Sequence, residues 1–251
     1  MEVLKVFGIY ALMILIVVKH RAIVAWFLNF FHFLYWVVID ISRFVKSGCK
    51  RKFNLFGVRV FTGRQGSGKT VGLVWQLEEI RRKFPKCQIY TNFEYTNADG
   101  RLENLNDLLR YRNGQDGIIF AIDELQNEFS SAASKDFPEA LLSTITMQRK
   151  QKICILATSQ VFTRLAKPLR EQCFQVIECR TFFNRWTRLR AYDAEDYNLF
   201  IDNPSPEKRF KTRKLWKRSF IQTDVLRNSY DTMEVIERLS RQGFSAKNAL
   251  A

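Results

Sequence analysis

An α/β fold built on a mainly parallel sheet is predicted by three features of the 251-residue sequence. From Val58 onward, short β-rich runs alternate with amphipathic stretches, the rhythm of parallel strands joined by helices that cover both sheet faces. GRQGSGKT, Gly63 to Thr70, fits G-x-x-x-x-G-K-[ST] at every fixed position. It sits between a β-rich run and a helical one, the context in which that pattern forms a phosphate-binding loop. GIIFAIDE is an apolar run that ends in two acids, Asp123 and Glu124. The predicted fold is a P-loop NTPase core over residues 53–180. A transmembrane helical segment over 1–52 precedes it, and a basic C-terminal extension over 181–251 packs on it.

In the N-terminal segment, Val6 to Val18 is uncharged, Lys19, His20 and Arg21 interrupt, and Ala22 to Ile39 continues without a formal charge. At about 1.5 Å per helical residue the second run covers most of a hydrocarbon core about 30 Å thick, and the first falls short unless it borrows neighbours. Trp26, Tyr35 and Trp36 suit membrane interfaces, and Asn29 and His32 suit contacts between helices. One helix or two satisfy the pattern. A signal peptide competes with it, without a small-residue cleavage site between the runs, and so does a core helical hairpin of a soluble protein. Arg43, Lys46, Lys50, Arg51 and Lys52 are opposed only by Asp40, which by the positive-inside tendency predicts that the rest of the chain lies in the cytoplasm.

Along the core, VRVFT predicts the strand before the glycine loop and Val71 to Phe84 a helix. CQIYTNF then predicts a strand, LENLNDLLRY an amphipathic stretch, PEALLSTITMQRK a helix and ICILATSQ a second buried strand. FQVIECRTFF and TRLRAYD predict an antiparallel hairpin. Pro204 and Pro206 open a loop, and Met233 to Gly243 suits a short helix. The formal net charge of +15 predicts a polyanionic partner, nucleic acid or an anionic membrane surface, without choosing between them. Cys49, Cys87, Cys154, Cys173 and Cys179 form no C-x-x-C pair and no zinc spacing. The two histidines, His20 and His32, lie in the apolar N-terminus, so His-based metal chemistry and a Ser/His/Asp triad drop out of the core.

A phosphate needs several donors converging on one point, and a glycine-rich turn entering a helix supplies them from the backbone. Gly63, Gly66 and Gly68 permit that turn, and Arg64, Gln65, Ser67 and Val71 complete the cradle. Lys69 is expected to reach the β- and γ-phosphates of ATP, and Thr70 to ligate Mg²⁺. Asp123 is placed for the Mg²⁺ shell, and Glu124 for taking a proton from the attacking water. That second acid points to motor-type ATPases of the additional-strand, RecA-like class; both acids also suit the cap of a following helix. ICILATSQ ends in Thr158, Ser159 and Gln160. Gln160 is the candidate γ-phosphate sensor, with a plain polar strand end as the alternative.

GRQGSGKT, IIFAIDE, MQRKQ and LATSQ together resemble the zonula occludens toxin-like (Zot-like) ATPases of filamentous and related phages, within the wider FtsK/HerA group of DNA-pumping motors. The resemblance covers roughly Val58 to Arg180. It implies a hexameric ring of identical subunits in the host's cytoplasmic membrane, with the ATPase domain facing the cytoplasm. ATP hydrolysis would then accompany phage assembly and extrusion, with single-stranded phage DNA and other assembly or coat proteins as partners. It also implies an arginine entering the active site from a neighbouring subunit. Arg149 matches that arginine best, ahead of Arg170 in LAKPLREQC, so Lys69, Glu124, Gln160 and Arg149 form the candidate catalytic set. The order of parts differs from Zot-like proteins, which place the ATPase before the membrane segment.

Four arginines lie between Arg180 and Arg190 among Phe182, Phe183 and Trp186, and seven Lys or Arg lie between Lys208 and Arg218 with Phe210 and Trp216. This mixture suits single-stranded DNA or an anionic lipid surface; the alternative buries the aromatics beneath a solvated basic face. Three functions follow. The first is a motor for phage morphogenesis, and the second a DNA-packaging or DNA-transfer translocase with the same site. The third is an ATP-binding assembly scaffold with negligible turnover, against which Glu124 argues.

Overall fold

A computed structural model describes residues 2–46, 48, 52–103, 107–128, 147–202 and 213–231. The chain divides into two units, Met1–Arg51 and Lys52–Ala251.

The first unit is one helix, α1 (Glu2–Lys46), so the two apolar runs are continuous and no helical hairpin forms over them. The reason is local. The stretch holds no proline and a single glycine, Gly8, and the charges of Lys19 and Arg21 interrupt hydrophobicity without breaking backbone hydrogen bonding. Lys19–Lys46 is long and apolar enough to cross a membrane, with a mean hydropathy of 1.9. His32 accepts a hydrogen bond from Trp36 Nε1 one turn on, at 2.8 Å, which satisfies one polar atom within the helix.

The strands of the second unit are β1 (Gly57–Thr62), β2 (Gln88–Thr91), β3 (Glu94–Tyr95), β4 (Gly100–Arg101), β5 (Ile118–Ile122), β6 (Ile153–Ser159), β7 (Cys173–Phe182), β8 (Trp186–Asp193), β9 (Lys214–Ile221) and β10 (Tyr230–Asp231). Its helices are α2 (Lys69–Lys83), α3 (Asp107–Arg110), α4 (Leu125–Glu128), α5 (Gln148–Gln151), α6 (Lys167–Glu171), α7 (Ala194–Asp202) and α8 (Asp224–Arg227). Eight strands form one sheet in the order β4-β2-β5-β6-β1-β7-β8-β9. From β4 to β7 the neighbours are parallel, and β8 and β9 continue the sheet antiparallel. β6 therefore lies between the strand entering the glycine loop and the strand carrying Asp123, the inserted strand of the additional-strand class.

Every residue of β5 and β6 is buried, as central parallel strands covered on both faces require. One core, with Val60, Phe120, Ile155, Phe162 and Leu169, lies beneath α6 and α7; the other, with Phe61, Leu73, Leu77, Ile89 and Leu156, lies beneath α2. Arg81 at the end of α2 donates to the carbonyls of Cys87 and Asn97 and to Asp99, tying that end of the helix to the start of β2.

β7 runs past Arg180, so the division drawn there falls inside a strand, and Lys214–Ile221 of the basic third is a strand of the same sheet. Most of PEALLSTITMQRK, part of LENLNDLLRY, Pro204, Pro206, Phe210 and the helix expected at Met233 to Gly243 lie outside the described residues.

Candidate nucleotide site

Parallel strands deliver their C-terminal ends to one edge of the sheet, and that edge collects the site. β1 runs into the glycine loop, and α2 starts directly after Gly68. Gly66 and Gly68 have φ of 74° and 86°, and a Cβ at Gly68 would stand 2.5 Å from Thr181 Oγ1. Glycine at 68 is thus required by both backbone and space. Lys69 is folded back over the loop, its Nζ donating to the Arg64 carbonyl at 3.3 Å. The buried Ser67 hydroxyl has no hydrogen-bond partner among the described residues. An unpaired buried hydroxyl and a lightly held amine, at a turn that opens a helix, suit the phosphates of a nucleotide.

Facing the loop, Asp123 is 5% exposed. Its Oδ1 accepts from Thr70 Oγ1 at 3.0 Å and from Thr158 Oγ1 at 2.6 Å. The side chain of Asn92, just past β2, brackets its backbone: Asn92 Oδ1 accepts from Asp123 N at 2.7 Å, and Asn92 Nδ2 donates to Asp123 O at 3.1 Å. Burial pushes the Asp123 carboxyl up, and the Thr158 and Thr70 hydroxyls oppose that shift. A buried carboxylate beside a threonine hydroxyl fits Mg²⁺, which Thr70 and Asp123 would hold.

Glu124 adopts φ 53°, a left-handed conformation in a residue with a Cβ. Its N–H donates to Thr158 Oγ1 at 2.8 Å, and its carboxylate accepts from the Gln126 amide. Such strain persists where surroundings fix it, commonly at reactive sites. Glu124, Asp123, Lys69, Thr70, Val71, Gln65, Gly66, Gly68 and Gln160 share one cleft of ≈ 730 Å³.

Gly63, Arg64 and Ser67 border a second cleft, of ≈ 610 Å³, into which Gln160 also extends. Arg180, Arg188 and Arg190 line it. In register Arg180 opposes Arg188 and Glu178 opposes Arg190, while Thr181 and Thr187 pair on the opposite face, against the glycine loop. Thr181 Oγ1 donates to the Ser67 carbonyl at 2.9 Å.

Arg149 and Arg170 lie elsewhere. They precede the N-terminal starts of β6 and β7, at the sheet edge opposite the glycine loop, and the Arg149 guanidinium lies 5.6 Å from the Phe56 ring centroid. Neither borders the nucleotide cleft of its own chain. Thr158, Asn92, Gln222, Arg227 and Tyr230 are site residues that the motifs do not mark. For Asn92 and Thr158 the available signal was a polar residue closing an apolar strand; for the other three it depends on long-range pairing.

No family model and no curated protein matches the chain. Among solved structures, the N-terminal domain of zonular occludens toxin from Neisseria meningitidis is similar at 16% identity and TM-score 0.49, covering 70% of this chain and 100% of that chain. The DNA-packaging ATPase B204 of Sulfolobus turreted icosahedral virus is similar at 12% identity and TM-score 0.43, covering 57% of this chain and 94% of that chain. The cytoplasmic domain of the type VII secretion ATPase EccC from Thermomonospora curvata is similar at 11% identity and TM-score 0.37, over 50% of this chain and 19% of that one. The glycine loop, the strand inserted between β1 and β5, and the acids at the end of β5 give this chain the P-loop NTPase fold.

Proposed function

We propose that the protein is an ATPase motor anchored in the host's cytoplasmic membrane, coupling ATP hydrolysis to the assembly and extrusion of phage DNA or particles. The observation that carries this reading is the pair at the end of β5: Asp123 buried and held by two threonine hydroxyls, and Glu124 held beside it in a strained conformation. A scaffold that only binds nucleotide needs the glycine loop and Lys69. It has no use for a positioned base.

In this reading the loop N–H groups and Lys69 bind the phosphates, and Thr70 and Asp123 would hold Mg²⁺, which would supply charge neutralisation for the phosphates. Glu124 takes a proton from the attacking water, and Thr158 fixes both the Asp123 carboxylate and the Glu124 backbone. Gln160, bordering both clefts, reports the γ-phosphate to the arginine-lined side. That side takes single-stranded DNA, its arginines meeting phosphates while Phe182 and Trp186 supply stacking faces. α1 supplies the anchor. In a ring, Arg149 or Arg170, both distant from their own cleft, reaches a neighbour's.

The test is ATP turnover by full-length protein in detergent. Lys69→Ala is expected to abolish nucleotide binding. Glu124→Gln is expected to keep binding and lower turnover by about 10²–10⁴-fold; wild-type turnover in that variant would refute the base. Single-stranded DNA or anionic liposomes should raise the rate. Indifference to both and to duplex DNA would favour the scaffold, and stimulation by duplex DNA alone a packaging or transfer translocase.

A further inference from the structure

Beyond β9, residues Gln222 to Asp231 cross α2 from one side of the sheet to the other, and both ends of the crossing are fixed. At its start, Gln222 N donates to the Arg185 carbonyl at 2.7 Å, and Arg185 Nη1 reaches Asp224 Oδ1 at 2.7 Å. In the middle, Thr223 Oγ1 caps α8 by accepting from Leu226 N at 3.2 Å, and Leu226 packs on the core beneath α2. At its end, Thr96 N and Oγ1 both donate to the Ser229 carbonyl, at 2.9 and 3.0 Å, and Tyr230 pairs with Tyr95 of β3. Tyr95 in turn donates to Glu78 of α2 at 2.7 Å. The crosspiece is therefore part of the folded body.

Gln222, Arg227 and Tyr230 of this crosspiece border the nucleotide cleft together with Lys69, Thr70 and Asp123. Lys69 and Arg227 are the cations among the residues that border it, set against Asp123 and Glu124. Arg227 Nε and Nη2 donate to Gln222 Oε1 at 3.0 and 2.8 Å, and Nη2 also donates to the Asn184 carbonyl. All these acceptors are neutral, so none of them neutralises the guanidinium. Gln222 is itself held: its Nε2 donates to Thr187 Oγ1 at 2.7 Å and approaches Thr181 Oγ1 at 3.4 Å, and Thr181 donates to the Ser67 carbonyl of the glycine loop at 2.9 Å. A hydrogen-bonded chain thus fixes a guanidinium relative to the loop that takes the phosphates, the preorganised geometry in which arginine binds phosphate best.

We infer that Arg227 is a nucleotide-binding residue acting within its own subunit, its guanidinium meeting the phosphate chain of the nucleotide that Lys69 and the glycine loop hold. This rests on the nucleotide-site reading above and adds to it a contact from the far end of the described chain. It differs from the role of Arg149 or Arg170, which needs a neighbouring subunit.

The experiment compares full-length wild type, Arg227→Ala, Arg227→Lys and Lys69→Ala in detergent. It measures the Kd of a fluorescent ATP analogue, KM and kcat for ATP, and the unfolding midpoint with and without nucleotide. Arg227→Ala should raise Kd and KM about ten-fold or more. Its nucleotide-free unfolding midpoint should stay near wild type, Arg227→Lys should recover part of the affinity, and the effect should persist at protein concentrations too low for oligomers. Wild-type Kd and KM in Arg227→Ala would overturn the inference. So would a loss that tracks a lower nucleotide-free midpoint without rescue by lysine, or one that vanishes on dilution. Undiminished affinity in Lys69→Ala would instead overturn the nucleotide-site reading, leaving the two failures distinguishable.

Discussion

The parallel and antiparallel halves of the sheet are made from different kinds of sequence and differ in how much of each strand is exposed. β5 and β6 are buried at every residue and keep their polar groups at their C-terminal ends, where Asp123, Glu124 and Thr158 meet the glycine loop. β8 alternates buried residues with partly exposed ones over most of its length, β9 is open at every residue but Phe220, and the two carry Arg188, Arg190 and Lys217 along their length. A strand buried on both faces has only its tip for chemistry, whereas a strand covered on one face has a whole side. In the proposed function the difference separates two partners, with nucleotide at the tips and an extended polyanion along the flank. Gly68 lies at the seam, where the loop comes against Thr181 of β7, the last parallel strand, and Thr187 of β8, the first antiparallel one.

The largest effect comes from breaking that seam. In Gly68→Ala the added Cβ would meet Thr181 Oγ1 at 2.5 Å and Thr187 Oγ1 at 3.2 Å, on a residue with φ 86°. Stability should fall by about 1–3 kcal/mol and ATP affinity at least ~10-fold, read by denaturant unfolding and nucleotide titration. Unchanged values would mean that the two halves are not rigidly joined. A smaller effect sharpens the flank: Arg180→Ala and Arg188→Ala should each weaken single-stranded DNA binding and reduce the salt slope by about 1, while Lys86→Ala should leave it unmoved. Equal behaviour of all three would dissolve the distinction between flank and general surface.

The smallest effect concerns the closed half. Burial pushes the Cys87 thiol up to about 12 and raises Cys154 and Cys179 as well. Each thiol holds its proton more tightly folded than unfolded. The stability this contributes is therefore whole below the ordinary thiol value and is lost as pH climbs through the raised folded values, for Cys87 towards about 12. At neutral pH a maleimide should label these three far more slowly in the native protein than in urea, and rapid native labelling would show the parallel half to be open.

What the sequence made legible follows the same division. β1, β5, β6, the glycine loop and the two acids are local patterns; the strands form one sheet, and Lys69, Asp123 and Glu124 border one cleft. The β7–β8 hairpin was equally readable from alternation. KLWKRSFI carries no legible strand signal, because its charges break any apolar alternation and its place depends on pairing with β8. The interruption at Lys19 to Arg21 is compatible with one helix or two, and charge alone breaks none. Thr158 was visible as a polar strand end, yet its grip on Asp123 needs the parallel register of β5 and β6. Arg227 depends on the pairing of Tyr230 with Tyr95, which no local periodicity encodes.

Thr181 and Arg180 are successive residues of β7, one touching the glycine loop and the other lining the second cleft. Their separation along the strand is about 3.3 Å, with no hinge, linker or helix between. In the proposed function, a shift of the Ser67 carbonyl that Thr181 followed would reach Arg180 through the stiffness of a single hydrogen-bonded strand. If the protein is the motor proposed above, signal and load share one piece of backbone, so its stroke is limited to ångströms per subunit and longer travel must be summed over repeated cycles.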